Sequence, residues 1–240
     1  MRVLLVFAHP DDETFSSSGT VISYSKRGHE IKLVMATRGE AGMLGDPPHV
    51  SREKLGAERE KELREAAKLT GISDIYFLDY IDGTLENIPH QELTDKVLSH
   101  IYREKPHVVI TFEKNGITLH PDHRAISKAA TAAFAKYMKG AKHPVQLYHI
   151  CLPASHVKTH QKAGFKYEHF GKMTGTPDDE ITMAVDITSV YNDKIKAMKK
   201  HKTQKKDYEM ILKRNKLIPG PKYEHFKLVA ENRIKKDKTV

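Results

Sequence analysis

The chain has 240 residues, with 40 Lys and Arg against 31 Asp and Glu for a formal net charge of +9. That length can bury a full core in one α/β domain, and a mean hydropathy of −0.56 with no apolar run near the ~18 residues of a spanning helix excludes a transmembrane segment. Cys151 is the only cysteine, so an internal disulfide is impossible; with an N-terminus that lacks the basic and apolar layout of a leader peptide, this points to a reducing cytoplasm.

The first element is an uninterrupted apolar run, Val3-Leu4-Leu5-Val6-Phe7. It lacks the alternation of a half-exposed strand, which predicts a parallel strand covered on both faces. The run ends in His9-Pro10-Asp11-Asp12-Glu13, one imidazole and three carboxylates at the strand end where parallel sheets bind ligands. A helix is expected over 15–28, stopped by Gly28, and a second strand over 31–36. The loop that follows, 37–50, is long, and loops of that length are commonly functional.

The strongest helical pattern covers 53–69, where Leu55, Leu63, Ala66, Ala67 and Leu69 alternate with Glu and Lys before Gly71. A short strand over 75–78, a loop through Asp82-Gly83, a helix over 89–104 and a strand over 106–112 come next. Four strand–helix alternations predict an α/β fold, a Rossmann-like doubly wound, mostly parallel sheet with flanking helices. The absence of Gly-x-Gly-x-x-Gly after the first strand argues against NAD or FAD. Beyond the fourth strand, His120-Pro121-Asp122-His123 precedes an Ala-rich helix over 124–137. A fifth strand (145–152), a sixth (182–187), a basic helix (189–206) and a weakly patterned last stretch complete the reading. One domain is expected over 1–240, with a basic helical extension beginning near residue 190.

The charge is uneven. Residues 190–240 hold 16 Lys and Arg against 6 Asp and Glu, whereas residues 1–189 hold 24 against 25. A basic patch can draw polyanions, but here it is expected to be a solvated helical face. The chain has no Trp, and Tyr208 and Tyr223 stand isolated, so there is no stacking platform and nucleic acid is not the expected partner.

Two clusters of ligand-type residues, His9 to Glu13 and His120 to His123, end the first and fourth strands and should open on one rim. Separately, each could cap a helix or face solvent. Together they suit a catalytic divalent ion that keeps one position open, with three donors such as two imidazoles and a carboxylate. Such a set accepts Zn²⁺ and also Fe²⁺. Other hydrolase designs lack their residues: there is no Gly-x-Ser-x-Gly elbow and no His-Glu-x-x-His helix, and Cys151 reads as a small core residue.

Ala8-His9-Pro10-Asp11-Asp12-Glu13 with His120-Pro121-Asp122-His123 resembles the LmbE or PIG-L family of zinc-dependent N-acetylglucosamine deacetylases. The likeness extends through Thr37-Arg38-Gly39-Glu40-Ala41-Gly42, the helix carrying Arg59, and His201-Lys202-Thr203-Gln204. It implies a metal-dependent hydrolase that removes the N-acetyl group from an N-acetylglucosaminyl conjugate, such as the malate conjugate of bacillithiol biosynthesis. Another N-acetyl sugar, such as a chitin disaccharide, is the alternative. It further implies His9, Asp12 and His123 as metal ligands and Asp11 as general base toward the attacking water. His120 would stabilise the oxyanion or protonate the leaving amine, and Arg59 would face the sugar.

Asp122 is expected to bond an imidazole and fix its tautomer, and Glu13 to hold the loop or cap the first helix. Arg38, at a strand end on the same rim, is expected to contact substrate hydroxyls. Family members often carry an aromatic two positions before His-Pro-Asp-His; Thr118 stands there in this chain. His201 is placed either over the site or on a solvated helix. Loops 38–50 and 150–180 should shape the aglycone side of the pocket. Relatives often form trimers or hexamers, so a homo-oligomer is expected.

Overall fold

The computed structural model describes residues 1–166 and 170–232. Seven strands form one sheet: β1 (Arg2–Phe7), β2 (Glu30–Thr37), β3 (Asp74–Tyr80), β4 (Val108–Phe112), β5 (Val145–Cys151), β6 (Met183–Asp186) and β7 (Tyr223–Asn232). Their order is β3-β2-β1-β4-β5-β7-β6. Pairing is parallel from β3 through β5 and antiparallel at β5–β7 and β7–β6. The sheet is therefore mixed and mostly parallel, as the strand–helix alternation predicted.

The helices are α1 (Asp12–Lys26), α2 (Leu55–Thr70), α3 (His90–Glu104), α4 (Pro121–Met138), α5 (Ala154–Lys162), α6 (Tyr191–Met198) and α7 (Lys205–Asn215). β1 lies between β2 and β4, and Leu4, Leu5, Val6 and Phe7 are fully buried. This is what a non-alternating apolar strand requires when both faces are covered. The chain winds outward from β1 to β3 on one side and from β4 to β5 on the other. The strand order thus reverses between β1 and β4, and the crevice at their carboxyl ends is the place where such sheets take ligands.

Several sequence expectations need correction. α1 starts at Asp12, so Asp12 and Glu13 lie in its first turn, where carboxylates complement the helix dipole. α4 starts at Pro121, a residue suited to the first helical position because it has no amide hydrogen to satisfy. α5 falls in a stretch taken as loop; Val157 and His160 are its only buried residues, too few to give a periodic signal. The basic helix expected over 189–206 is broken by a turn at Lys199 and Lys200 into α6 and α7, with a 3₁₀ turn at Lys202–Gln204. The stretch read as weakly patterned holds β7, ten residues inserted between β5 and β6.

Residues 167–169 of the expected aglycone segment and 233–240 of the basic tail lie outside the described residues. No helix among the described residues is long and apolar enough to cross a membrane.

Candidate metal centre

β1 delivers His9, and the first turn of α1 delivers Asp12. β4 and the loop after it lead to α4, whose first turn holds His123. His9 Nδ1 and His123 Nε2 are 3.2 Å apart, Asp12 Oδ1 is 3.3 Å from His123 Nε2, and Asp12 Oδ2 is 3.5 Å from His9 Nδ1. Ligand atoms at zinc bonding distances in a tetrahedron lie about 3.3 Å from one another. Two imidazole nitrogens and a carboxylate at that spacing fit a divalent ion.

The far nitrogens are held as well. His9 Nε2 donates to Asp82 Oδ1 at 2.9 Å and lies 3.2 Å from Asp122 Oδ2, while His123 Nδ1 donates to Gly116 O at 3.0 Å. A partner on the distal nitrogen fixes each ring so that its other nitrogen faces Asp12 and the neighbouring imidazole. Gly116 has φ +71, and a Cβ there would meet the Cβ of His123 at 2.6 Å, so the close approach requires glycine. The Phe112 ring stacks on His123 with centroids 4.2 Å apart.

The Asp122 carboxylate does not bond its neighbours' rings; it reaches across to His9 and takes the amides of Gly83 (2.7 Å) and Leu85 (3.0 Å). One carboxylate thereby ties α4 and the loop after β3 to a ligand on β1. Asp82, at the start of that loop, also accepts from Ala41 N at 3.0 Å. The sequence reading passed over Asp82. The signal was available: the third strand ends on the same rim, and an acid follows it.

Asp11 stands beside the donor set in an unusual backbone conformation, φ 123 and ψ −28. Its Oδ2 accepts from Arg59 Nη2 at 2.9 Å, and the same guanidinium donates to Pro10 O (2.5 Å) and Gly39 O (2.8 Å). Arg59 is 3 % exposed, a buried brace between Asp11 and the loop at Gly39. A Cβ at Gly39 would fall 2.3 Å from that guanidinium, which is why the loop needs glycine there. Arg38 donates to Glu60 Oε2 at 2.7 Å and to Asp79, and lies over the Phe77 ring.

The neighbouring acids are driven apart. Burial lifts the Asp11 carboxyl well above the usual range against the pull of Arg59. Burial also opposes ionisation of Asp12, but the charge and hydrogen bond of His123, with the bond to His9, outweigh it and hold Asp12 well below. His120 caps α4, its Nδ1 accepting from Asp122 N at 3.2 Å. Burial first, then the nearby His9 and His123, push it down to about 4. It is a neutral imidazole near pH 7 with its proton on Nε2. A nitrogen of His120 also lies within 4.8 Å of a ring nitrogen of His9 and of His123. Phe170 packs edge-on against its ring at 4.5 Å. Cys151 is buried, and burial pushes its thiol up to about 11, in keeping with a core residue.

Known proteins share this arrangement of sequence. The chain is 40 % identical over 135 residues to a probable N-acetyl-alpha-D-glucosaminyl L-malate deacetylase 2 of Bacillus anthracis, an alignment spanning 56 % of this chain and 59 % of that relative. It is 30 % identical to a 1D-myo-inositol 2-acetamido-2-deoxy-alpha-D-glucopyranoside deacetylase of Rhodococcus erythropolis, across 95 % of this chain and 91 % of the relative. Its fold matches that of an N,N'-diacetylchitobiose deacetylase from Pyrococcus horikoshii with a TM-score of 0.66 at 23 % identity, covering 95 % and 83 % of the two chains. The sequence profile of the PIG-L family, described as GlcNAc-PI de-N-acetylase, matches residues 4–134, more than half of the chain and both ligand clusters. The chain belongs to the PIG-L family.

Proposed function

We propose that this protein hydrolyses the N-acetyl group of an N-acetylglucosaminyl conjugate, the malate conjugate foremost, using Zn²⁺ held by His9, Asp12 and His123. The observation that carries the reading is the convergence of those three donors within 3.2–3.5 Å of one another, beside a buried carboxylate. Kinship to a probable malate-conjugate deacetylase supplies the substrate class. Fe²⁺ is the second metal that two imidazoles and a carboxylate accept.

A divalent ion bound there supplies Lewis-acid chemistry, acidifying water and polarising the amide carbonyl. Asp11 accepts the proton of the attacking water, its affinity for that proton raised by burial and its direction fixed by Arg59. His120, neutral and anchored through Nδ1, offers Nε2–H to the negative charge that develops on the carbonyl oxygen. The proton held on Asp11 then passes to the departing sugar amine, leaving acetate and a free glucosamine group. Asp82 and Asp122 orient the His9 ring so that its Nδ1 faces the metal position. Arg38 and the loops around it border the sugar side. One domain, a homo-oligomer of three or six copies and a cytoplasmic setting complete the reading; light scattering tests the assembly.

The test is acetate release from the malate, inositol and chitobiose N-acetylglucosaminyl compounds, with metal analysis on the same sample. The malate conjugate should turn over fastest, and chelation should stop it. Asp11→Asn should lower kcat by roughly 100- to 10,000-fold, the range a general base contributes, while metal content survives. No acetate from any of the three, or near-normal turnover by Asp11→Asn, overturns the proposal.

A further inference from the structure

Beyond residues 4–134 that the family profile matches, the turn His201-Lys202-Thr203-Gln204 between α6 and α7 carries three buried polar side chains, His201, Thr203 and Gln204, that the proposed chemistry does not use. His201 is 0 %, Thr203 1 % and Gln204 3 % exposed. Each is committed to a different part of the rim. Thr203 donates its amide (2.8 Å) and hydroxyl (2.6 Å) to Glu62, which lies in α2 one turn beyond Arg59. Gln204 Nε2 donates to Met43 O at 3.1 Å, in the loop after β2. His201 Nε2 lies 3.2 Å from Thr14 Oγ1 and 3.6 Å from Glu13 Oε1, and its ring packs edge-on against Phe15.

The direction of the hydrogen bonds at His201 can be worked out. Its Nδ1 has no hydrogen-bond partner among the described residues. A buried unpaired N–H is rarer in proteins than an unpaired acceptor, so the proton resides on Nε2 and is donated to Thr14 Oγ1. The Thr14 hydroxyl, having accepted, donates to Glu13 Oε1. Glu13 Oε2 in turn accepts the amide of Asp11 at 3.2 Å. Glu13 and Thr14 are 1 % and 0 % exposed, so no water competes along the chain. It ends on Asp11, a non-glycine residue whose backbone is strained at φ 123. A non-glycine residue stays in that conformation only when its surroundings over-determine it. Arg59 holds the carbonyl before Asp11 and its carboxylate; Glu13 holds its amide.

We infer that His201 is a positioning residue that acts through Thr14 and Glu13 to hold the strained backbone turn at Asp11, and so aims the Asp11 carboxylate. The inference rests on the reading of Asp11 as the proton acceptor. It makes the segment beyond α6 part of the machinery, with a contact to catalysis that neither ligand motif contains.

Two variants remove the donor while keeping shape: His201→Phe retains a buried ring, and Thr14→Val retains the branched side chain. His201→Gln and Thr14→Ser restore a donor at the same place. The measurements are kcat and KM for acetate release by metal-loaded protein, metal content, and hydrogen exchange of the amides in residues 9–14. The first pair should lower kcat by roughly 10- to 100-fold, as small misplacements of a reacting group do, with KM and metal content unchanged. Exchange at the Asp11 amide should quicken about tenfold in the same two proteins as the local hydrogen bond opens. The restoring pair should return both readouts to wild type. Wild-type kcat or unchanged Asp11 exchange in the first pair overturns the inference. If His201→Phe does not fold, Thr14→Val decides alone. If wild-type protein releases no acetate, the functional reading fails, and Asp11 exchange still decides whether the turn is held from His201.

Discussion

Asp11 and Asp12 are adjacent, equally buried and chemically identical, yet the fold gives them opposite proton affinities: one is poised to accept a proton, the other to remain an anion facing two imidazoles. Adjacent carboxylates with separated affinities are what divide base from ligand. Asp82 belongs to the same scale. Removing its carboxylate by Asp82→Ala should weaken metal binding by roughly 10- to 100-fold, the usual cost of losing an outer partner of a ligating histidine. Chelator competition measures it, and unchanged affinity would show that Asp122 alone suffices for His9. His149, away from this site on β5 and bonded to Thr131 at 2.9 Å, offers a pH prediction. Burial chiefly, with help from the charge of Lys227, pushes it from 6.5 down to about 4. As pH falls below 6.5 the unfolded chain binds a proton that the folded chain refuses until about 4, so stability is lost across that window, by about 3 kcal/mol in all. His149→Gln should flatten the denaturation midpoint between those pH values; an equally steep loss in the variant assigns the effect to other groups. The converging donor cluster was legible because each of its residues ends a strand or opens a helix on one rim. The part played by Thr14 was not, because its partner His201 lies far along the chain.

Among the elements, α1 shows how the C-terminal segment is built into the site. Lys194 on α6 donates to Phe15 O at 3.0 Å and to Glu224 Oε1 at 2.6 Å, while Glu224 on β7 accepts the amides of Gly19 (2.9 Å) and Thr20 (2.7 Å) in the middle of the helix. Both charged side chains are buried. The helix that carries Asp12 is thus gripped at its centre by an ion pair from two elements that the sequence left as a solvated basic helix and an irregular tail. The cause of that misreading is physical. Periodicity assigns charged residues to solvent, and β7 alternates Glu, Phe, Leu and Ala with residues of mixed polarity, so a buried glutamate on its inner face erases the strand signal. Glu224→Ala strands a buried ammonium and two helix amides, and should cost about 3–5 kcal/mol in denaturant unfolding. Lys194→Met leaves Glu224 its two amide donors and should cost less. A Glu224→Ala protein within about 1 kcal/mol of wild type would mean that water replaces the carboxylate.

For the whole molecule, the legible part was the parallel half: the runs that form β1, β2 and β4 are apolar enough to announce themselves, and alternating helices imply the winding. The order of strands was not legible, because insertion of β7 between β5 and β6 is a choice among pairings that no local pattern encodes. The winding makes a further demand. β1 and β4 are neighbours where the strand order reverses, and their carboxyl ends bring together His9, Asp12 and His123 from segments more than a hundred residues apart. Without a cation, Asp12 and two buried imidazoles must satisfy one another; with one, the two arms of the sheet gain a shared bond that the unfolded chain cannot form. Binding to the folded state alone stabilises it by about 2.7 kcal/mol at a free ion concentration 100 times the dissociation constant. Urea unfolding of zinc-loaded and chelator-treated protein should therefore differ in midpoint, with zinc raising it. Asp12→Ala should abolish the difference, since the site loses its carboxylate donor, whereas Asp11→Asn should preserve it. A midpoint indifferent to chelator in the wild-type protein, measured on samples shown to have carried the metal, would place the ion somewhere other than between these two strands.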